Sequence, residues 1–299
     1  MFNIEKIIPI DPNFPFMNFR KIMLNVSLIF IILFTFLLFF KGLNLGIDFK
    51  GGTLIEVKIK NSNISEIRNI LDPQFNDVSL QEFGDADTII IRLQNKSVNE
   101  NITTINKVKK LIDDKVSEYR RSEFVGPTIS SELFYKALQA ISFALVSILI
   151  YIWIRFEWQF GFGAVVALTH DVIFTLGILS LLNIDFNLSN IAAILTIAGY
   201  SINDTVVIYD RIRENLRKYK KMNLVELFNL SINNTLSRTI MTSLSTLIAL
   251  SCLYLLGGQV IKPFAFTMII GVIIGTYSSI FIAVPTLLLF KFRPEEEED

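Results

Sequence analysis

Six long apolar runs dictate what this chain can fold into before any motif is considered. They cover residues 22–40, 133–154, 160–182, 188–209, 239–256 and 264–290. Each is near or above the about 20 residues that cross a hydrocarbon core as a helix. Backbone in lipid has to satisfy its own hydrogen bonds, so these runs read as transmembrane helices. Composition agrees: 52% of the 299 residues are hydrophobic, 26 are phenylalanine, and mean hydropathy is +0.50. The first run could be a signal peptide, but its apolar core is too long and no small-x-small cleavage site follows. It reads as a retained first span after a tail, residues 1–21, whose Pro9, Pro12 and Pro15 oppose a regular helix.

Between the first and second spans, residues 41–132 are polar and charged. Residues 51–59 alternate apolar and polar, as a half-buried strand does. Asn63 is placed to cap a helix over 63–71 through Ile64, Ile67, Ile70 and Leu71. Residues 78–83 and 88–93 read as strands around a Gly84-Asp85 turn. Helical spacing returns over 102–119 through Ile105, Val108, Ile112 and Val116, and 122–125 can form a last strand. The order β-α-β-β-α-β predicts a ferredoxin-like domain. The fold class expected is therefore a mainly α membrane protein of six spans, with one ferredoxin-like α+β extracytoplasmic domain between spans 1 and 2. The remaining parts are a five-helix region, 133–290, with a cytoplasmic loop at 210–238, and a tail, 291–299.

Charge sets the orientation. The 210–238 segment carries Arg211, Arg213, Arg217, Lys218, Lys220 and Lys221, and includes an amphipathic stretch at Leu224, Leu227, Phe228 and Ile232. Placing both termini in the cytoplasm puts this segment, Arg155, Lys291 and Arg293 inside, and leaves Lys262 outside, as the positive-inside rule demands. Formal net charge is zero, so no global field favours nucleic acid. The single cysteine, Cys252, excludes an internal disulfide, and the single histidine, His170, has no metal-site or nucleophile motif around it. No metal, cofactor or enzymatic activity is expected.

The costliest residue is Asp204. An ionised carboxylate in a span costs roughly 2.5–3.5 kcal/mol, against roughly −0.3 to −0.6 kcal/mol for each strong apolar residue. It therefore calls for a protein or water environment and a partner. By three-and-four spacing it shares a helix face with Thr196, Tyr200, Asn203, Val207, Arg211 and Glu214. On the fifth span Arg238, Thr242, Ser245, Ala249 and Cys252 share a face, and on the sixth Thr267, Gly271, Gly275 and Ser278 do, with small residues that suit close helix contact. Gly199 joins this packing set. Ordinary packing is the plainer role for each small residue alone. Asp204 and Arg238 fall at matching depths on antiparallel spans and can meet. Withdrawing the guanidinium would let Asp204 take up a proton, whereas a fixed pair would only hold helix register. His170 and Asp171, in the third span, are a second candidate. Neighbours in sequence point about 100° apart on a helix, so the two are not expected to face one site closely. A relay role and a structural hydrogen-bonded pair are both open for them.

Several stretches together resemble one family. Leu45-Gly46-Ile47-Asp48-Phe49-Lys50-Gly51-Gly52-Thr53 is similar to a signature of the SecD/SecF protein-export family. Phe124-Val125-Gly126-Pro127, Arg155-Phe156-Glu157-Trp158, His170-Asp171-Val172, residues 199–215 and Arg238-Thr239-Ile240-Met241-Thr242-Ser243 resemble its SecF branch. The resemblance covers about residues 15–292. It implies an RND-related accessory subunit of the bacterial Sec translocase in the inner membrane, paired with SecD and associated with the SecYEG channel and YajC. Proton flow would there drive the periplasmic domains to promote preprotein export after the SecA step. It also implies that Asp204 and Arg238 lie on the proton pathway and that Gly46, Asp48, Gly51 and Gly52 form the periplasmic signature; Asn203, Asp171 and His170 stay open as further pathway candidates on their own chemistry. Membrane lipid is the remaining partner. The other readings are an RND-type half-transporter for a lipid or small molecule, and a non-conducting scaffold of the channel complex.

Overall fold

A computed structural model describes residues 13–60, 62–75, 78–82, 87–93, 98–258 and 260–290. In chain order the elements are α1 (Arg20–Phe40), β1 (Asn44–Leu45), α2 (Ile47–Lys50), β2 (Gly52–Ile59), α3 (Ile64–Leu71), β3 (Val78–Glu82), β4 (Thr88–Leu93) and α4 (Val98–Ile112). They continue with β5 (Val116–Val125), α5 (Pro127–Arg155), α6 (Trp158–Leu181), β6 (Asp185–Phe186), α7 (Leu188–Lys218), α8 (Leu224–Leu256), α9 (Lys262–Ser278) and α10 (Val284–Leu287). The chain divides into two compact units: one joins the segment up to Asn44 with everything from Ile141 onward, and the other is Leu45–Ala140.

The smaller unit contains an antiparallel sheet in the order β3-β4-β2-β5, the ferredoxin-like arrangement. One core joins Ile55, Val57, Ile89 and Ile91 to Ile67 and Leu71 of α3 and to Val108 and Ile112 of α4. The Asn63 side chain caps α3, accepting a hydrogen bond from the Glu66 amide at 2.9 Å. A register shift in the β2–β5 ladder follows the pairing of Glu56 with Arg121, so that Val57 pairs with Tyr119. Arg120, the extra residue, and Arg121 can then both reach buried Glu56, each at 3.9 Å. Helical spacing over 102–119 overshoots. The α4 helix ends at Ile112, a 3-10 turn follows at Asp113–Lys115, and Val116 already belongs to β5. Two adjacent aspartates favour a turn over a continued helix. The Gly84-Asp85 turn lies outside the described residues.

The signature glycines have a local cause. After Gly46 the chain makes the single turn of α2, closed by the Gly51 amide on the Ile47 carbonyl at 2.8 Å. Gly51 and Gly52 then take φ of 73° and 108°, a backbone conformation that side chains resist, and turn the chain into β2.

Among the described residues, six helical stretches are long and apolar enough to cross a membrane: Phe16–Phe40, Thr128–Arg155, Trp158–Leu181, Leu188–Lys218, Leu224–Leu256 and Lys262–Leu287. At least half of the most apolar stretch of α6, α7 and the sixth span is buried, against less than a fifth in α1, α5 and α8. The apolar stretches of α6, α7 and the sixth span are thus the inner ones, and those of α1, α5 and α8 are mostly uncovered by protein. The sixth span is not a uniform helix: a π-helical turn, Ser279–Ala283, separates α9 from α10. Pro285 lacks the amide and crowds the preceding turn, which explains a widened turn there. The expected loop at 210–238 is corrected by the structure. The α7 helix runs to Lys218 and α8 starts at Leu224, capped by Asn223, so most of that segment is helical and only 219–223 connects. Charged helical extensions continue the spans because each amphipathic turn still buries Ile212, Leu227, Phe228 and Ile232 in the core. Lys291, Arg293 and the tail at 291–299 lie outside the described residues.

Candidate functional site

The three central helices approach closely because small residues face one another. A side chain at Gly271 of α9 would run into Ile197 of α7, and one at Gly275 would come within 3.0 Å of Ser201 Cβ. On the other side of α6, a side chain at Gly177 would strike the ring of Phe34. Hydrogen bonds then zip α9 to its neighbours. The Asn190 amide donates to the Thr267 hydroxyl at 2.9 Å, and the Ser243 and Thr276 hydroxyls meet at 2.7 Å. The Tyr277 hydroxyl bonds the Ser27 hydroxyl at 2.8 Å and the Met23 carbonyl at 3.1 Å, tying α9 to α1.

At the centre lies Asp171, fully buried on α6. One carboxylate oxygen accepts from the Ser201 hydroxyl of α7 at 2.5 Å and from the Ser278 hydroxyl of α9 at 2.8 Å. The other lies 3.0 Å from Nδ1 of His170. An ionised carboxylate can only accept, so the imidazole then carries its hydrogen on Nδ1. Its Nε2 is buried without a hydrogen-bond partner among the described residues, and the ring sits 5.4 Å from Phe174 and 6.0 Å from Tyr277. This corrects the expectation that His170 and Asp171 cannot converge. Their Cβ directions diverge, but both side chains are long enough to bend toward each other across one helix step. The structure gathers around Asp171 two serines whose significance is not evident from sequence, since Ser278 reads as a packing residue and Ser201 carries no signal of its own.

Asp204 lies on α7 three residues beyond Ser201, about 4.5 Å along the axis at the usual helical rise. It is 3% exposed, and its Oδ2 has no hydrogen-bond partner among the described residues. Arg238 is the cation that acts on it electrostatically, but the two form no ion pair within 4.0 Å, and Arg238 is exposed. The anticipated close contact is therefore not made. Two acidic side chains, Asp171 and Asp204, thus lie about one helical turn apart in depth within the inner bundle. Such an arrangement can hold protons at two levels, and each protonation would cancel a buried negative charge.

Other sequence candidates fall elsewhere. Asn203 is exposed, as are Thr196 and Glu214, so the polar stripe on α7 divides between an outward side and the inward Ser201, Asp204 and Thr205. Gly199 is also exposed, and an added side chain there would meet nothing within 4 Å, so it is not a packing glycine. Ser245 is exposed and Thr242 half-buried, and their hydroxyls return to carbonyls of their own helix. The packed face of α8 is Thr239, Ser243 and Leu250, rotated from the Arg238–Thr242–Ser245 stripe. No group of histidine, cysteine and acidic residues suited to a metal occurs among the described residues.

Residues 101–293 match the family described as "Protein export membrane protein SecD/SecF, C-terminal", and residues 36–62 match the "SecD/SecF GG Motif". The chain is 45% identical over 294 residues to a protein translocase subunit SecF of Rickettsia rickettsii, covering 96% of this chain and 95% of that one. A SecF of Rickettsia bellii is likewise 45% identical over 298 residues, covering 98% of each. Among solved structures, SecDF from Thermus thermophilus, a translocon-associated membrane protein, superposes with a TM-score of 0.86 at 36% identity. That match covers 95% of this chain but 40% of the SecDF chain. SecDF in a super-membrane-facing form matches with a TM-score of 0.70 at 35% identity, over 94% of this chain and 39% of the other.

Proposed function

The chain belongs to the SecD/SecF family of protein export membrane proteins, and from that membership we propose that it is a proton-driven accessory subunit of a Sec preprotein translocase. In this reading it sits in the bacterial inner membrane with both termini cytoplasmic. It pairs with SecD, associates with the SecYEG channel and YajC, and promotes export of preproteins after the SecA step. The observation that carries the proton reading is the pair of buried carboxyl groups, Asp171 and Asp204, on the inner helices.

Their roles differ. Asp171 is held by groups from its own helix and from α7 and α9, so its protonation would weaken the charge-assisted hydrogen bonds that join three helices. Asp204 has a buried oxygen with no hydrogen bond and a cation, Arg238, within electrostatic reach, which suits a group that is charged and discharged in turn. One proton crossing about 100 mV releases roughly 2.3 kcal/mol, whereas driving a two-state equilibrium from 1:99 to 99:1 takes about 5.5 kcal/mol. One proton therefore biases a two-state helix arrangement substantially without switching it completely.

The test is preprotein export into inverted membrane vesicles carrying Asp204→Asn or Arg238→Met. The expected result is that ATP-driven export persists while its stimulation by the proton gradient is lost. Normal export with normal gradient dependence in both variants would sink the proposal and favour a scaffold.

A further inference from the structure

Where α5 ends and α7 continues past the apolar level, a cavity of about 470 Å³ is lined by Arg155, Asp210, Arg213, Glu214, Arg217 and Lys218. Its charges are unevenly matched. Asp210 is held by both Arg155 Nη2 contacts at 3.0 Å and lies 3.8 Å from Arg213, while Glu214 is taken by Arg211 at 2.6 Å. Arg155 and Arg213 are further fixed over the Phe156 ring, at 5.0 and 5.3 Å. Arg217 and Lys218 are exposed and have no ion-pair partner among the described residues, and the Lys218 ammonium lies over the Tyr219 ring at 5.1 Å. The cavity is thus a preorganised arginine frame with two uncompensated cations at its rim. Guanidinium forks and lysine ammonium groups of this kind recognise phosphate oxygens.

We propose that this cavity binds the phosphate of an anionic phospholipid headgroup. The lipid source follows from position. Arg155 closes a spanning helix whose preceding residues Tyr151, Trp153 and Ile154 are large, apolar and exposed, and Trp158 just beyond is exposed too. Exposed aromatic residues directly adjoining cations mark the boundary between acyl chains and headgroups. A lipid standing there would lay its chains along α5 and hold its headgroup at the mouth of the cavity, between the Arg155 level and the rim formed by Arg217 and Lys218. Neither Asp171 nor Asp204 takes part, so the inference stands apart from the proton reading.

The experiment uses the full chain in nanodiscs of phosphatidylcholine doped with phosphatidylglycerol, with co-purifying lipid quantified by native mass spectrometry. The comparison is wild type against Arg217→Gln with Lys218→Gln, and against the charge-preserving pair Arg217→Lys with Lys218→Arg. Retention of phosphatidylglycerol over phosphatidylcholine should fall about fivefold for each charge removed, the ratio that ~1 kcal/mol represents, and should survive in the charge-preserving variant. Equal retention in wild type and the glutamine variant overturns the proposal. A separate arm adds inorganic phosphate to protein in detergent without anionic lipid. Thermal protection by phosphate, lost in the glutamine variant and unaccompanied by lipid retention, overturns the lipid source and assigns the cavity to a soluble phosphate.

Discussion

Asp171 shows how far a residue can be understood before its surroundings are known. The sequence marks it as an ionisable group in a span, but the helical-wheel argument separates it from His170 and says nothing of Ser201 or Ser278. Wheel angles describe where Cβ points, and the contacts at Asp171 are made by the outer atoms of two flexible side chains and by helices distant in sequence. Asp204 was legible as costly, because its cost is local. Its distance from Arg238 was not, because that depends on the rotation of α8. Glycines divide in the same way: Gly271 and Gly275 face neighbours, while Gly199, in a motif of equal distinctiveness, faces none. The Asp171 cluster makes a prediction of its own. Asp171→Asn preserves shape and can still accept from both serines through its amide oxygen, but it loses the charge on those bonds and turns an NH₂ toward His170 Nδ1, so it should destabilise the folded protein by about 1–3 kcal/mol. Asp204→Asn removes no hydrogen bond seen in the structure and should destabilise far less. Thermal unfolding of both variants in the same detergent checks this, and equal midpoints would remove Asp171 from its bridging role.

At the scale of elements, alternation and caps carried most of the smaller unit: the strands on either side of α3, the Asn63 cap and the order of elements all follow from local pattern. What local pattern missed was where elements stop, as at Ile112, and how far α7 and α8 reach beyond the apolar level. Hydropathy reports the membrane boundary, whereas the helices end where capping and core packing end. The start of β5 offers a pH test. The Tyr119 hydroxyl donates to the Lys109 carbonyl at 3.3 Å and lies 3.5 Å from Asp113. Partial burial first, and then the nearby carboxylate, push the phenol up to about 12 from 10.0. A raised value means that the folded state favours the protonated phenol. The resulting stabilisation is fully present below pH 10 and is lost as pH rises through about 12. Ultraviolet difference titration of the protein against Tyr119→Phe should show one tyrosinate component with that midpoint. A component titrating near 10 would contradict the packing of Tyr119.

For the whole molecule, number of spans and fold class were readable because lipid admits so few solutions, while the division into inner and outer helices was not. All six runs are apolar, and hydropathy cannot separate burial in protein from burial in lipid. Orientation is the molecular-scale prediction that follows from charge. In a Cys252→Ser background, Glu118→Cys should react with a membrane-impermeant maleimide applied to spheroplasts, and Lys221→Cys should react only after permeabilisation. The reverse pattern would invert the topology.

The unequal burial of the helices has a further consequence, for variation. Lipid tails have no fixed shape, so the outward sides of α1 and α5 need only remain apolar. Gly271, Gly275 and Ser278 must fit particular neighbours. In a saturation library scored for export, the outward sides of α1 and α5 should accept nearly any apolar exchange, and the inward side of α9 should accept almost none. Drift among natural relatives would then be written mainly on the surface that meets the bilayer.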